Sequence, residues 1–334
     1  MKIKSLNIKN YKSLVDVIIE EPNNFSVFVG PNASGKSNIF EAIEIVDFIQ
    51  NDNVFEEVFN IYGEYDELLN RKMSVDEQIN FRIVGNIDHE QYIFNTYIDQ
   101  NNARNYPLMV FSNNNEERIV DWAINNLTLL SSLFNNFQRL FIGRDSQSHH
   151  KFKAGRVLDY SASNLPLVLK RLINNDETEE LSELLNLFIP GFKRIKVYKD
   201  ELSGDESLTL YDKNYEKPFA RNLISDGTYN ILALITAVLQ SDEPQFLLIE
   251  EPENGLNPKA IKELVHFFRE QCEEKGHYIW LATHSQSLVS ELKLNELIIV
   301  DKQDGETKIK QFRDKKVIKT KKRIAILNTS TFTG

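Results

Sequence analysis

The chain has 334 residues, 41% hydrophobic and 26% charged, the balance of a soluble globular protein long enough for one large domain or two ordinary ones. No run approaches the roughly 18 apolar residues of a membrane span, the opening Met-Lys-Ile-Lys-Ser lacks a secretory leader's apolar stretch, and the single Cys272 cannot close an internal disulfide, so the sequence reads as cytoplasmic with no membrane partner. A formal net charge of −10 excludes a surface that is basic throughout, although Lys315, Lys316, Lys319, Lys321, Lys322 and Arg323 mark a basic tail over residues 313–334.

Residues 2–20 alternate polar and apolar in two bursts around Asn10-Tyr11-Lys12-Ser13, which predicts two strands and a turn. The apolar run Phe25–Val29 then leads into Gly30-Pro31-Asn32-Ala33-Ser34-Gly35-Lys36-Ser37, and Ile39, Ala42, Ile43, Val46 and Ile49 follow at helical spacing. This is G-x-x-x-x-G-K-[ST] between a strand and a helix. Its glycines let backbone N–H groups cradle phosphate, Lys36 reaches the β and γ phosphates, and the Ser37 hydroxyl serves Mg²⁺. The positive end of the helix faces the same anion. Gly30, Asn32, Ala33, Ser34, Gly35, Lys36, Ser37 and Asn38 are therefore the candidates for nucleotide binding.

A second helix is expected around Phe55, Val58, Phe59 and Ile61, and a strand pair over 79–98 with its turn at Gly85-Asn86-Ile87-Asp88. Helical periodicity over about 116–141, and again over 163–188 with its leucine face, predicts a mostly helical insertion at about 100–190. Strands return at 194–198 and 207–211 around Ser203-Gly204-Asp205. From Ser225 the pattern is helix, buried strand (246–249), helix (258–274), buried strand (278–282), short helix, strand (297–300). That alternation implies an α/β domain with a largely parallel sheet over residues 1–312.

Phe246-Leu247-Leu248-Ile249-Glu250-Glu251 is an apolar strand ending in two carboxylates, and strand carboxyl ends are where such sheets bind ligands. One acid can hold Mg²⁺ and the next can orient and deprotonate a water. Three further pieces carry a resemblance: Ser225-Asp226-Gly227-Thr228, the run from Ile249 through Glu250-Glu251-Pro252-Glu253-Asn254-Gly255-Leu256-Asn257-Pro258, and Thr283-His284-Ser285. Their order resembles an ABC-type ATPase of the SMC/RecF-like branch, and particularly the OLD-type ATPases; Ile3 to Ser13 and Ser163-Asn164-Leu165 are similar to that family too. The implied fold is a P-loop NTPase of ABC type, with a mixed central sheet, an antiparallel N-terminal β part and a helical insertion.

Carried over, the resemblance implies that Glu250 takes the Walker B metal position and Glu251 that of the general base. His284 becomes the switch histidine at the γ phosphate, and Ser225 and Gly227 become signature residues that contact the nucleotide of another subunit. ATP and Mg²⁺ are the implied cofactors, and a homodimer or higher homo-oligomer is the implied assembly. Three departures stand out: Glu250 where aspartate is common, a longer side chain that suits a metal held through water; Asn230 where relatives commonly carry arginine; and no glutamine with a Q-loop context among Gln91, Gln138 and Gln147. The chain shows neither a nuclease domain nor coiled-coil arms. Stand-alone OLD-like ATPases belong to bacterial anti-phage defence beside separately encoded nucleases or toxins, so the resemblance implies a dimerising ATP switch with such an effector. Its alternatives are a RecF/SMC-type repair ATPase with nucleic acid as partner, or an ATP-bound scaffold with little turnover.

Overall fold

The computed structural model describes residues 2–52, 55–87, 90–100, 108–113, 116–120, 134, 136–143, 156–174, 178–199 and 206–312. In chain order the first elements are β1 (Lys2–Tyr11), β2 (Leu14–Glu20), β3 (Phe25–Val29), α1 (Lys36–Asp52), α2 (Phe55–Tyr62), α3 (Tyr65–Leu68), β4 (Ile79–Ile87) and β5 (Glu90–Ile98). Next come β6 (Leu108–Asn113), β7 (Glu116–Val120), β8 (Phe137–Leu140), α4 (Leu165–Asn174), α5 (Thr178–Phe188), β9 (Phe192–Lys199), β10 (Glu206–Asp212) and β11 (Phe219–Ala220). The chain continues through α6 (Asp226–Leu239), β12 (Phe246–Glu250), α7 (Pro258–Glu274), β13 (Tyr278–Thr283), α8 (Gln286–Ser290), β14 (Leu297–Gln303) and β15 (Glu306–Gln311). Two compact units result, one drawn from Met1–Phe137, Ala282–His284 and Leu292–Gly334, the other from Gln138–Leu281 and Ser285–Glu291.

The first unit holds an antiparallel sheet in the order β2-β1-β4-β5-β6-β7. Period-two patterning makes it: Leu6 and Ile8 on β1 and Leu14, Val17 and Ile19 on β2 are buried while Asp16 and Ile18 face out. β3 is buried at all five residues and pairs in parallel with β14, which pairs antiparallel with β15, so this part of the sheet is mixed. The predicted face of α1, Ile39, Ala42, Ile43, Val46 and Ile49, is buried throughout, and Phe40 meets Phe28 of β3 edge-to-face at 5.3 Å.

Two expectations are corrected here. Gly85, Asn86 and Ile87 do not form a turn: β4 runs through them, and they pair with Tyr92, Gln91 and Glu90. Residues 116–120, expected to be helical, form β7 against β6, in keeping with the strand preference of β-branched Ile119 and Val120. The segment expected to be a mostly helical insertion therefore carries strands β6, β7 and β8 before helices α4 and α5. Residues 121–133, the loop 203–205 and the basic tail 313–334 lie outside the described residues.

The second unit contains β13-β12-β8, a small antiparallel sheet β11-β10-β9, and helices α4 to α8. β12 is buried at every residue, and Phe246 packs edge-to-face on the fully buried Trp280 of β13 at 4.9 Å. α7 starts as its sequence dictates, with the Asn257 side chain accepting from the Ala260 N–H and Pro258 at a first-turn position. Cys272 is buried on this helix.

A buried amide network ties the unit together. Gln240 donates to Gln138 and to Gln245, and the Gln245 N–H donates to His277 Nδ1 at 3.0 Å. Burial, with the Lys275 charge adding to it, pushes the His277 imidazole down from 6.5 to about 4. The folded chain thus holds His277 neutral where the unfolded chain already takes up a proton. This contribution is complete above pH 6.5 and is lost as pH falls through 4. Urea unfolding at pH 7 and pH 5 should show a loss of about 2 kcal/mol from this residue. His277→Asn, which keeps an acceptor for Gln245, should remove that part of the acid sensitivity; an unchanged difference between the two pH values refutes the assignment.

Candidate functional site

In the first unit, the chain leaves β3 and enters α1 through a loop whose backbone alternates in hand: Ala33 sits at φ +62 and Gly35 at φ +107. Such alternation turns successive N–H groups toward one concavity, an anion-binding nest. The Ile39 N–H donates to the Gly35 carbonyl at 3.1 Å, so the first turn of α1 opens directly from this loop. Gly30 and Gly35 are forced by space. A Cβ on Gly30 would lie 2.0 Å from the Val300 carbonyl oxygen, and one on Gly35 would lie 2.0 Å from Thr307 Oγ1.

Lys36 is buried and its ammonium donates to the carbonyls of Gly30 at 2.8 Å and Pro31 at 2.9 Å, so it lies across the mouth of its own loop. Asn32 and Ala33 are exposed at the tip, Ser34 is buried, and Ser37 is exposed at the start of α1. The Asn38 amide donates to Ser13 Oγ at 2.8 Å. Ser13 Oγ in turn meets Thr307 Oγ1 at 2.7 Å, and Thr307 donates to the Ser34 carbonyl at 2.8 Å. Ser13 and Thr307 therefore brace the loop from outside its motif. The Gly30 N–H donates to the Thr283 carbonyl at 3.3 Å, which brings the loop to the strand end that precedes the exposed His284.

In the second unit, β12 ends in the two acids. Glu250 is buried, and Arg139 Nε and Nη2 donate to its Oε1 at 2.9 and 2.6 Å. The guanidinium also lies 5.4 Å from the centre of the Tyr160 ring. Glu251 follows at φ +49, a left-handed conformation that costs a non-glycine residue about 1 kcal/mol or more and concentrates at functional sites. Ser225 caps α6, its Oγ accepting from the Thr228 N–H at 3.2 Å, and Ser225 and Asp226 are exposed. A Cβ on Gly227 would lie 2.2 Å from the Gly255 carbonyl oxygen, and Gly255 is itself at φ +72. The buried Asn230 amide donates to the carbonyls of Pro252 at 3.0 Å and Asn254 at 2.8 Å, so α6 is laced to the loop that follows the acids.

The structure thus gathers the predicted residues into two sets: Gly30 to Asn38 with His284 in one unit, and Ser225, Gly227, Glu250 and Glu251 in the other. Of the three glutamines considered, Gln138 is spent in the buried amide network, Gln91 lies in β5 paired with Asn86 and Ser112, and Gln147 lies outside the described residues. Sequence reasoning missed Arg139, Ser13 and Thr307. The only signal for Thr307 was its distance of one strand beyond 297–300, and a buried arginine has no local pattern at all.

Each unit supplies an oxygen donor of the kind a hard cation takes, the exposed Ser37 hydroxyl at the start of α1 in the first and the Glu250 carboxylate in the second. Because two N–H groups of Arg139 share Oε1, Glu250 suits a metal held through water better than a direct ligand.

A family model described as "AAA domain, putative AbiEii toxin, Type IV TA system" matches residues 25–290. The chain belongs to this AAA-domain family. A relative from Helicobacter pylori, named ATP/GTP phosphatase, is 23% identical over 330 residues, 86% of each chain. The DNA replication and repair protein RecF of Clostridium beijerinckii is 32% identical over 88 residues, 25% of this chain and 24% of that protein. The solved Smc head bound to the C-winged helix domain of ScpA superposes with a TM-score of 0.62 at 17% identity, covering 92% of this chain and 97% of that one. This member of the AAA-domain family therefore shares the ABC-type P-loop ATPase fold of the Smc head.

Proposed function

We propose that this protein is an ATP-hydrolysing switch: two copies close on ATP, hydrolysis reopens them, and the two states are read by a separately encoded nuclease or toxin in bacterial anti-phage defence. The observation that carries the reading is the exposed start of α6. Ser225 and Asp226 present a second helix N-terminus on a chain whose phosphate loop already supplies one for its own nucleotide. Within this reading, Lys36 and the Gly30–Ser37 loop bind the phosphates, Glu251 orients and deprotonates the attacking water, and His284 contacts the γ phosphate. Ser225 and Gly227 contact the nucleotide of the other copy. Ser37 and, through water, Glu250 would hold Mg²⁺, which would supply neutralising charge. Catalysis rests on positioning and electrostatics, as phosphoryl transfer generally does.

The family description, with its toxin and type IV system, supports the defence role, and the motif set supports the likeness to OLD-type ATPases. A second reading, a repair ATPase acting on DNA, is favoured by the RecF likeness. Light scattering on the eluting protein tests the switch: the Glu251→Gln chain should double in mass with ATP and Mg²⁺ and return to a single copy with ADP. A mass independent of nucleotide overturns it. Co-purification of that variant with ATP should carry along one effector polypeptide, whereas turnover stimulated by DNA and no co-purifying polypeptide would select the repair reading.

A further inference from the structure

The sheet β9-β10-β11 has an inner face and an outer one. Ile195 and Val197 pair with Leu210 and Leu208 on the inner face. The outer face carries three cross-strand pairs, Arg194 with Tyr211, Lys196 with Thr209, and Tyr198 with Ser207. Those six residues include two cations and two phenols and no carboxylate, on a protein whose net charge is −10. Among the described residues neither Arg194 nor Lys196 forms an ion pair. The Arg194 guanidinium lies 4.4 Å from the centre of the Tyr211 ring and the Lys196 ammonium 5.9 Å from it. The two phenol oxygens are 2.8 Å apart. A hydrogen bond from Tyr198, with Lys196 and Arg194 beside it, holds the Tyr211 phenol below its usual value. Tyr198, 46% exposed, offers its ring to solvent.

We propose that this face binds single-stranded nucleic acid, with Tyr198 as the platform on which a base stacks and Lys196 and Arg194 as the phosphate contacts. Charge chooses the partner: two cations with no carboxylate among these six outer-face residues attract a polyanion locally on an acidic protein. The rings choose its form, since a base can lie on Tyr198 only when its own face is unstacked, which a duplex does not allow. Successive outer-face rows are about 7 Å apart along a strand, comparable with the phosphate step of an extended single strand, so the footprint is short. Two phosphate contacts give a salt slope of about −1.4, and affinity in the range of about 10⁻⁴–10⁻⁶ M. This surface does not depend on the nucleotide-switch reading.

The test is fluorescence anisotropy of the full chain with labelled oligo(dT), oligo(U) and a duplex of the same length at 50 mM salt, with ATP binding measured on every variant as the check on folding. Either single strand should bind more tightly than the duplex. Arg194→Glu with Lys196→Glu should weaken binding at least about 10-fold, and Tyr198→Ala at least about 5-fold, while Tyr198→Phe keeps the ring and binds nearly as the parent does. The DNA and RNA arms tell which strand is preferred. No binding to either single strand, a preference for the duplex, or variants that bind like the parent with intact ATP binding would overturn the proposal. Failure of the parent chain to bind ATP would count against the switch and leave this result standing.

Discussion

Replacing Glu251 by glutamine is expected to slow ATP turnover by about 10²–10⁴-fold, the size of a general-base contribution, while ATP still binds. The amide keeps the shape and hydrogen-bonding reach of the side chain and removes only its basicity. Two features of the fold support the proposed role. β12 is buried along its whole length, and the chain then turns left-handed at Glu251, a conformation that nothing about a solvated strand end would require. Phosphate release under steady state, with nucleotide binding followed separately by a fluorescent analogue, measures both quantities. Turnover near the parent rate would remove Glu251 as the base, and loss of binding along with turnover would mean that the substitution had damaged the fold.

Arg139→Met is expected to cost about 3–5 kcal/mol of stability, because it removes a buried, charge-assisted partner of a buried carboxylate. Arg139 and Glu250 are both buried, and the bond is made through two N–H groups to one oxygen, a charge-assisted contact with little solvent to replace it. Urea unfolding of the single variant and of Arg139→Met with Glu250→Gln gives the comparison. The double variant should recover much of the loss, since the amide no longer carries a charge into the interior. A single variant that unfolds within about 1 kcal/mol of the parent would show that the pair is not what holds Glu250 in place.

Much of the fold could be read from sequence because local chemistry and global structure agree there. The phosphate loop announces itself by residue type, α1 by the period of Ile39, Ala42, Ile43, Val46 and Ile49, and α7 by Asn257 and Pro258 at its start. Reading failed where the deciding contact is distant in sequence. Glu116 to Val120 has too few residues for a reliable period, and its state is set by β6 beside it. Gly85 and Asn86 look like a turn, yet β5 and β1 pair across them on both sides and keep them extended. At the site, residue identity named the loop, the acids and the signature turn. It could not name Arg139, 111 positions before Glu250, or Thr307, 273 positions after Ser34, because burial and partnership across such separations exist only in the folded chain. Asn230 shows the converse. It departs from the arginine that relatives commonly carry, and the structure gives its amide two carbonyls to hold.

The approach of Gly227 to Gly255 has a consequence for how this chain can vary. The contact is made by main chain on both sides, so it is indifferent to the side chains around it and intolerant of any at the two positions themselves. Substitution at 227 meets the opposing carbonyl oxygen, and substitution at 255 meets an unfavourable backbone hand as well as the opposing main chain. Neither change can compensate for the other, because adding bulk on one side only tightens the gap that the other side needs. The two positions thus behave as a single locus, fixed jointly or lost jointly, and drift in this region is confined to the residues that flank them.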